Sequence, residues 1–430
     1  MKKKHILFIH PFLCYPFESG GHQALFHGID ALKNDFDITL AFKTVNDDKT
    51  HENMRELESL IPGIVLKPLF IHSCNKSNKT YKEIFYVKIR GWFNKAKLCI
   101  KKACGVKENS LPCDTPATIK YWFSTITPND EEWINHIYEV SHAVHYDYIQ
   151  IEMPWIISSI LAMPQDSRVI HVHHELGFVR REQEIVQMSP TPYYEVCRKF
   201  TDMNEISLLN RYDAIITLSN IDKEKLLYQG VNVPIYSSMA IVEGQNTNFD
   251  DNDLSDEVHR LTFVGPSVHS PNRIGVNWFL INCWEKLKAA DPRYTLDIVS
   301  NWNQKLKDNI SDRYSDVNFL GYVDDLGKVL KDSIMIVPIT IGSGIRMKIL
   351  EAANRGIPFV STTIGAEGIP VTDGKECFIT DDPNCFVEDI IKLQDKSIRL
   401  DFIKNAKKMI DKYYSIEALR QNRLKIYESL

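Results

Sequence analysis

Short apolar runs of strand length alternate with helical stretches along this chain. HILFIH (5–10) is a continuous apolar run. After the loop PFLCYPFESGG, residues 22–33 place Leu25, Ile29 and Leu32 at helical spacing, and FDITLAF (36–42) is a second apolar run. Strand, helix and strand in that order predict a βαβ unit, because parallel neighbours need a crossover connection. The unit recurs at YDYIQIE (146–152), SRVIHV (167–172) and YDAIITLS (212–219), each run ending at a polar or turn-forming segment. A second series begins at HRLTFVG (259–265) and leads into a helix around 274–289. YTLDIVS (294–300), VNFLGYV (317–323), SIMIVPI (333–339) and GIPFVST (356–362) follow as strands with helices between them. Runs apolar on both faces suit a parallel sheet covered on both sides. The expectation is α/β, with two doubly wound domains.

Residues 243–257, EGQNTNFDDNDLSDE, are acidic and almost free of large apolar side chains, so they read as an interdomain linker. The expected division is an N-terminal Rossmann-like domain over 1–242, the linker, a C-terminal Rossmann-like domain over 258–415, and a last helix within 416–430. The length of 430 residues fits two or three domains, and the 44% hydrophobic and 25% charged composition is that of ordinary globular chains. The net charge of −5 argues against nucleic acid as a partner. No run of 18 apolar residues occurs, so no transmembrane helix is expected. The opening MKKKHILFIHPF has the outline of a signal peptide, but His10 and Pro11 break the run and no small-residue cleavage site follows. It reads as a first buried strand. Nine cysteines, an odd number without a C-x-x-C pair, point away from disulfides and zinc ribbons and toward a cytoplasmic location.

The average charge hides one contrast. Segment 76–107 carries ten basic residues against Glu83, a net of +9. Phe85, Ile89, Trp92, Ala96, Cys99 and Ala103 fall on one helical stripe with lysines around it. Such a helix suits a peripheral position at the inner face of the cell membrane, where lysines reach anionic head groups. It would equally serve as a surface helix packed on its own domain.

The densest chemistry lies in ITIGSGIRMKILEAANRGIPFVSTTIGAEGI (339–369). Gly342 and Gly344 flank Ser343 just before a helix. That turn can present backbone N–H groups and a helix N-terminus to a diphosphate. Arg346 and Lys348 can neutralise phosphate charge. Glu351, three residues after Lys348, faces the same side and can accept from ribose hydroxyls. Gly356 and Pro358 close the helix, and Gly365 and Gly368 form another permissive loop at a strand end, where open α/β sheets bind ligands. A solvated Lys–Glu pair between two structural glycine turns would carry the same letters.

This segment resembles the donor-binding signature E-G-x-G-x-x-x-x-E-A-x-x-x-G-x-P-V-V of retaining glycosyltransferases of family 4, which have the GT-B fold. Glu351-Ala352 matches the second Glu and its Ala, and Gly356-Ile357-Pro358-Phe359-Val360 matches the end. The first Glu, which in the family touches the donor sugar, falls on Ser343. The form GSGIRMKILEA is similar to a bacterial polysaccharide-biosynthesis branch. At FVGPSVHSPNRIG the family often has Gly-Arg and a later Lys that hold the phosphates. Here Gly265 is followed by Pro266, with Asn272 and Arg273 near the later position, which shifts phosphate neutralisation to Arg346 and Lys348.

The resemblance reaches the first domain. Gly20-Gly21 matches the glycine pair that approaches the donor. HVHHELGFVRREQE, from His171, matches a region bearing an active-site His and acidic residues, with His173 as the best match, followed by His174 and Glu175 on the acceptor side. RYDAIITLSNIDKEKLL is similar to the strand before the domain crossing. The resemblance implies that the last helix, around 416–429, returns to the first domain. It also implies transfer, with retention, from a UDP-, GDP- or dTDP-linked sugar to a glycan or lipid-linked acceptor. No metal or other cofactor is expected, since the protein supplies the cations.

Three other readings stay open. His171-x-His173 could bind metal, but no complementary ligand set can be placed. Asp251-x-Asp253 has the D-x-D form of the other glycosyltransferase fold, yet lies in the acidic linker. A sugar-nucleotide epimerase, a phosphorylase or an inactive GT-B-like scaffold would share the two-domain plan.

Overall fold

The computed structural model describes residues 3–17, 20–71, 115–187, 191–241, 254–323 and 325–430. The basic segment 76–107, the Asp251–Asp253 pair and most of the linker lie outside the described residues.

The chain forms two parallel sheets. The first contains β1 (Lys4–Ile9), β2 (Phe36–Val45), β3 (Val65–Ile71), β4 (Tyr148–Glu152), β5 (Arg168–His173), β6 (Ala214–Thr217) and β7 (Ile235–Ser237), in the order β3-β2-β1-β4-β5-β6-β7. The second contains β8 (Arg260–Val264), β9 (Thr295–Val299), β10 (Val317–Gly321), β11 (Ile334–Val337), β12 (Phe359–Ser361) and β13 (Phe378–Ile379), in the order β10-β9-β8-β11-β12-β13. Every pairing between these strands is parallel. The expected doubly wound α/β architecture is therefore observed. The central strands are sealed: Ile6 through Ile9 and Ile334 through Val337 are all fully buried.

In each sheet the strand order reverses beside the first strand, between β1 and β4 and between β8 and β11. Such switch points open a crevice at the carboxyl ends of the strands. The two crevices face each other, and α1 (Gly20–Leu32), α4 (Ser270–Phe279), α5 (Met347–Asn354) and α6 (Ile416–Glu428) contribute residues to the space between them, while α2 (Gly177–Gln187) and α3 (Pro192–Leu209) pack on each other in the first domain.

The last helix returns to the first domain. α6 lies on α1, Tyr148 Oη donates to the Tyr427 carbonyl at 2.6 Å, and Arg420 pairs with Asp35 at 2.6 Å. Tyr427 Oη also donates to Gln150, so this contact is buried polar chemistry as well as packing. Among the described residues no helix is long and apolar enough to cross a membrane.

Three strands escape the hydrophobic pattern. β3 is an edge strand with Lys67 and Pro68 in its middle, and its residues are only partly buried. Proline is tolerated there because one edge makes no ladder bonds. β7 and β13 hold only three and two residues, too few for a period to show.

Candidate functional site

A cleft of about 1540 Å³ separates the two domains. Its C-terminal wall is built on the turn after β11 and on α5. Gly342 and Gly344 have φ of +112° and +77°, conformations that L side chains rarely adopt. They reverse the chain so that α5 points its N-terminus toward the cleft. Arg346, at its N-cap, makes no side-chain capping bond, and although the Ile349 N–H turns back to the Arg346 carbonyl at 2.8 Å, the positive dipole end is left to an anion.

Two cations stand beside it. Arg346 donates to the carbonyls of Ser343 and Gly344, which pins the guanidinium under the turn. Its Nη2 is buried without a hydrogen-bond partner among the described residues. Burial pushes this group below its usual value, opposed by the charge of Glu175. Lys348 Nζ donates to Asn272 Oδ1 at 2.9 Å and lies 4.1 Å from the centre of the Phe263 ring. Burial, helped by the charge of Arg346, pulls the Lys348 amine down to about 7. One turn on, Glu351 lines the cleft and pairs with Arg355 at 3.3 Å. Gly265, after β8, has φ +147° and leaves no room for a Cβ against the Asn272 side chain. It lines the same wall.

The N-terminal wall is made by the loops after β1, β4 and β5. Gly20 and Gly21 open α1 and line the cleft, and a Cβ on Gly20 would strike the Met347 side chain of the opposing wall. At the end of β4, Glu152 is buried and its Oε2 accepts from His174 Nε2 at 2.5 Å. Burial would raise this carboxyl, but His174 and Arg423 outweigh it and hold the carboxyl below its usual value. The next residue, Met153, carries φ +82°, a strained conformation for a side-chain-bearing residue. It lies on the cleft surface together with His174 and Glu175. His10, at the end of β1, is pushed by burial down to about 3 and so is neutral.

The walls touch at their base. The Leu176 N–H donates to Ser343 Oγ at 2.7 Å, and Ser343 Oγ donates to the Leu176 carbonyl at 3.2 Å. Gly342 N–H donates to Gln183 Oε1 at 2.5 Å. A Cβ on Gly344 would collide with the His174 carbonyl. Further out, Arg180 donates to Ser270 at 3.0 Å and Lys225 pairs with Glu367 at 2.6 Å.

The expected site residues thus separate into two groups. Gly20, Gly21, His174, Glu175, Gly265, Ser343, Arg346, Lys348 and Glu351 come together on one cleft. His173 does not reach it. Its ring is buried in the sheet, bonded to His171 at 2.9 Å and 3.4 Å from Glu205. Strand alternation explains this, since 171 and 173 share the inward face of β5 and 174 is the first residue past its end. Gly342 and Gly344 shape the turn rather than line the space. Gly365 lies against the Ser361 and Thr362 hydroxyls, and Gly368, at φ +80°, against Ser219 of the other domain. Glu152 and His10 join the site without having been expected, and Asn272, noted in the sequence beside the family's later Lys position, accepts from Lys348 there. Glu152 closes an apolar strand, and only its position at a switch point marks it. Among the described residues no group of three His, Cys, Asp or Glu side chains could hold a metal ion.

Comparison with known proteins bears on this arrangement. Residues 258–396, which contain the whole of β8 through α5, match the family model described as glycosyl transferases group 1. Over its full length the chain superposes on a TarM variant of S. aureus solved with fondaparinux, alpha-GlcNAc-glycerol and UDP. The TM-score is 0.67 at 14% identity, covering 99% of this chain and 100% of TarM. The fold is GT-B. HepE of Anabaena, in complex with UDP and glucose, superposes with TM-score 0.62 and 12% identity, covering 100% of both chains. In sequence the GT-B chain is 23% identical over 265 residues to an uncharacterized 44.6 kDa protein in the cps region of Klebsiella pneumoniae. That match covers 57% of this chain and 65% of the other protein's length.

Proposed function

We propose that this protein is a retaining glycosyltransferase, moving a hexosyl group from a nucleotide-sugar to a glycan or lipid-linked acceptor in surface-polysaccharide assembly on the cytoplasmic side of the membrane. One observation carries the reading. Within the family-matched segment, the uncapped N-terminus of α5, Arg346 and Lys348 converge on one wall of an interdomain cleft. That wall suits a diphosphate. The likeness to a cps-region protein and to structures solved with UDP supports a nucleotide-sugar and a polysaccharide setting.

In this mechanism the donor diphosphate sits against α5, with Glu351 accepting from the ribose hydroxyls. As the glycosidic bond breaks, negative charge grows on the leaving diphosphate. Arg346 Nη2, unpartnered among the described residues, and Lys348 stabilise it electrostatically. The oxocarbenium-like sugar faces the N-terminal wall. There His174, oriented by Glu152, holds a sugar or acceptor hydroxyl. The acceptor oxygen bonds the anomeric carbon on the face the diphosphate leaves, and its proton passes to the departing phosphate oxygen, so no general base is required in this scheme. The role first given to His173 passes to His174, since His173 is enclosed in the sheet.

Thermal-shift titration with UDP-, GDP-, dTDP- and CDP-sugars tests the reading. At least one should raise the melting midpoint, and a flat response to all four would remove the donor site. Glu351→Ala should weaken the bound nucleotide about tenfold or more, as loss of charged hydrogen bonds does, with little change in melting of the free protein. A second reading rests on Ser343, which occupies the place of an acid: a binding scaffold without turnover. Donor binding with neither transfer nor hydrolysis across an acceptor panel would favour it.

A further inference from the structure

Sugar hydroxyls need acceptors, and the 342–344 turn brings none to the cleft. Ser343 is the residue placed to do so, and its hydroxyl is spent on both backbone groups of Leu176. The same contact, however, brings in the neighbour of Leu176. Glu175 lies directly over the turn, so that a Cβ on Gly344 would sit 3.6 Å from its Cα.

Among the described residues four carboxylates line the cleft: Asp30, Glu175, Glu351 and Asp411. Asp30 pairs with Lys33 at 2.6 Å and Asp411 with Lys407 at 3.8 Å, both away from the turn. Glu351 is one helical turn further along α5. Glu175 alone of the four lies over the 342–344 turn. Its contacts balance its charge without filling its oxygens. Arg180 approaches at 3.4 and 3.5 Å and His269 at 4.0 Å, longer than a well-formed charged hydrogen bond. Burial works against the charge, yet His269, Arg180 and Arg346 hold the carboxyl down at about 2, so it is an anion at neutral pH. An ionised carboxylate with open lone pairs is a strong acceptor for paired hydroxyls.

We propose that Glu175, delivered from the N-terminal domain, is the carboxylate that holds the hydroxyl groups of the donor's sugar at the 342–344 turn of the C-terminal domain. This inference rests on the nucleotide-sugar reading above and moves Glu175 from the acceptor to the donor side. It divides donor recognition between the walls: the C-terminal wall binds the nucleoside diphosphate, and the N-terminal wall selects the sugar. The sugar is therefore read only while the Ser343–Leu176 contact holds the domains together.

Calorimetric titration of the full chain separates the two halves, with UDP-glucose against UDP, GDP-mannose against GDP and dTDP-glucose against dTDP. The base that binds the wild type is carried forward. Glu175→Gln should weaken the sugar nucleotide about tenfold or more without weakening the matching diphosphate, since the change only removes a negative charge near Arg346. Glu175→Asp, which keeps a charge toward Arg180 and His269 but withdraws it from the cleft, should fall between. If Glu175→Gln fails to melt cooperatively, the comparison is made on Glu175→Asp alone. Equal loss for sugar nucleotide and diphosphate would assign Glu175 a merely structural role and overturn the inference. An unchanged sugar-nucleotide affinity would overturn it too, while leaving the proposed function standing. Failure of the wild type to bind any of the six probes would overturn the proposed function, and this inference with it.

Discussion

Replacing Lys348 with methionine tests the diphosphate wall most directly. The side chain keeps its length and its apolar stem against Phe263, so the change removes little more than one charge. At about 4 Å and an effective dielectric of about 20, a cation and a phosphate attract by about 4 kcal/mol. Burial already works against this amine, so only part of that attraction survives as net affinity. The usual yield of a charged hydrogen bond, about 1.5–3 kcal/mol, converts to about 10–150-fold weaker donor binding. The pH dependence gives a second, independent number. Burial lowers the Lys348 amine to about 7 in the free protein, and a bound diphosphate must raise it. Below pH 7 the free site already holds the proton. Above pH 7 binding must take one up, so wild-type affinity should fall by up to about tenfold per pH unit. Lys348→Met should be weaker at pH 6.5 and flat to pH 8.5. Titration calorimetry with the sugar nucleotide, whose diphosphate stays fully ionised over that range, reads both quantities. A methionine variant that binds as tightly as wild type at pH 6.5, or that keeps the wild-type slope, would refute the assignment of Lys348 to the phosphates.

Other consequences follow from the contacts between and beneath the walls. Gly344→Ala places a side chain at φ +77° and against the His174 carbonyl, so it should cost about 2 kcal/mol or more and lower the melting midpoint together with donor affinity. A variant with the wild-type midpoint would show that the turn can move away freely. Arg181→Met leaves the carboxylate of Glu205 buried without its main partner, since both side chains are 2% exposed. Denaturant unfolding should show a loss of about 3–5 kcal/mol, with much of it recovered in the Arg181→Met, Glu205→Gln double variant. Additive losses in that cycle would refute the pairing.

The parts legible in the sequence were those set by local periodicity. Apolar runs at 5–10, 36–42 and 334–337 mark central strands because a parallel sheet covered on both faces leaves no polar alternation to obscure them. The missed strands, β3, β7 and β13, sit at sheet edges or hold two or three residues, where burial imposes little pattern. The 339–369 segment was readable because Gly342, Gly344, Gly356 and Gly368 are demanded by positive φ and its charged residues follow helical spacing. His173 shows where such reading stops. The H-x-H pattern placed both imidazoles on one face, but which face meets the core depends on the register of β5 between β4 and β6.

What local sequence cannot carry is the pairing of residues 174–176 with 342–344, and that pairing changes the chemistry assigned to both. Read alone, Gly-Ser-Gly before a helix offers three N–H groups and a hydroxyl to a phosphate. In the closed arrangement Gln183 takes the Gly342 N–H and Leu176 takes the Ser343 hydroxyl. The turn is then chiefly a clasp between domains, and the anion is left to the α5 N-terminus and to the side chains of Arg346 and Lys348. The exchange has a functional consequence. A site with one backbone donor and its hydroxyl committed to the partner domain presents its cations in the right geometry only while the clasp is shut. Donor binding and domain contact are thereby coupled through Ser343 and Gly344. The carboxylate of Glu175 reaches the same turn because its neighbour Leu176 closes the clasp.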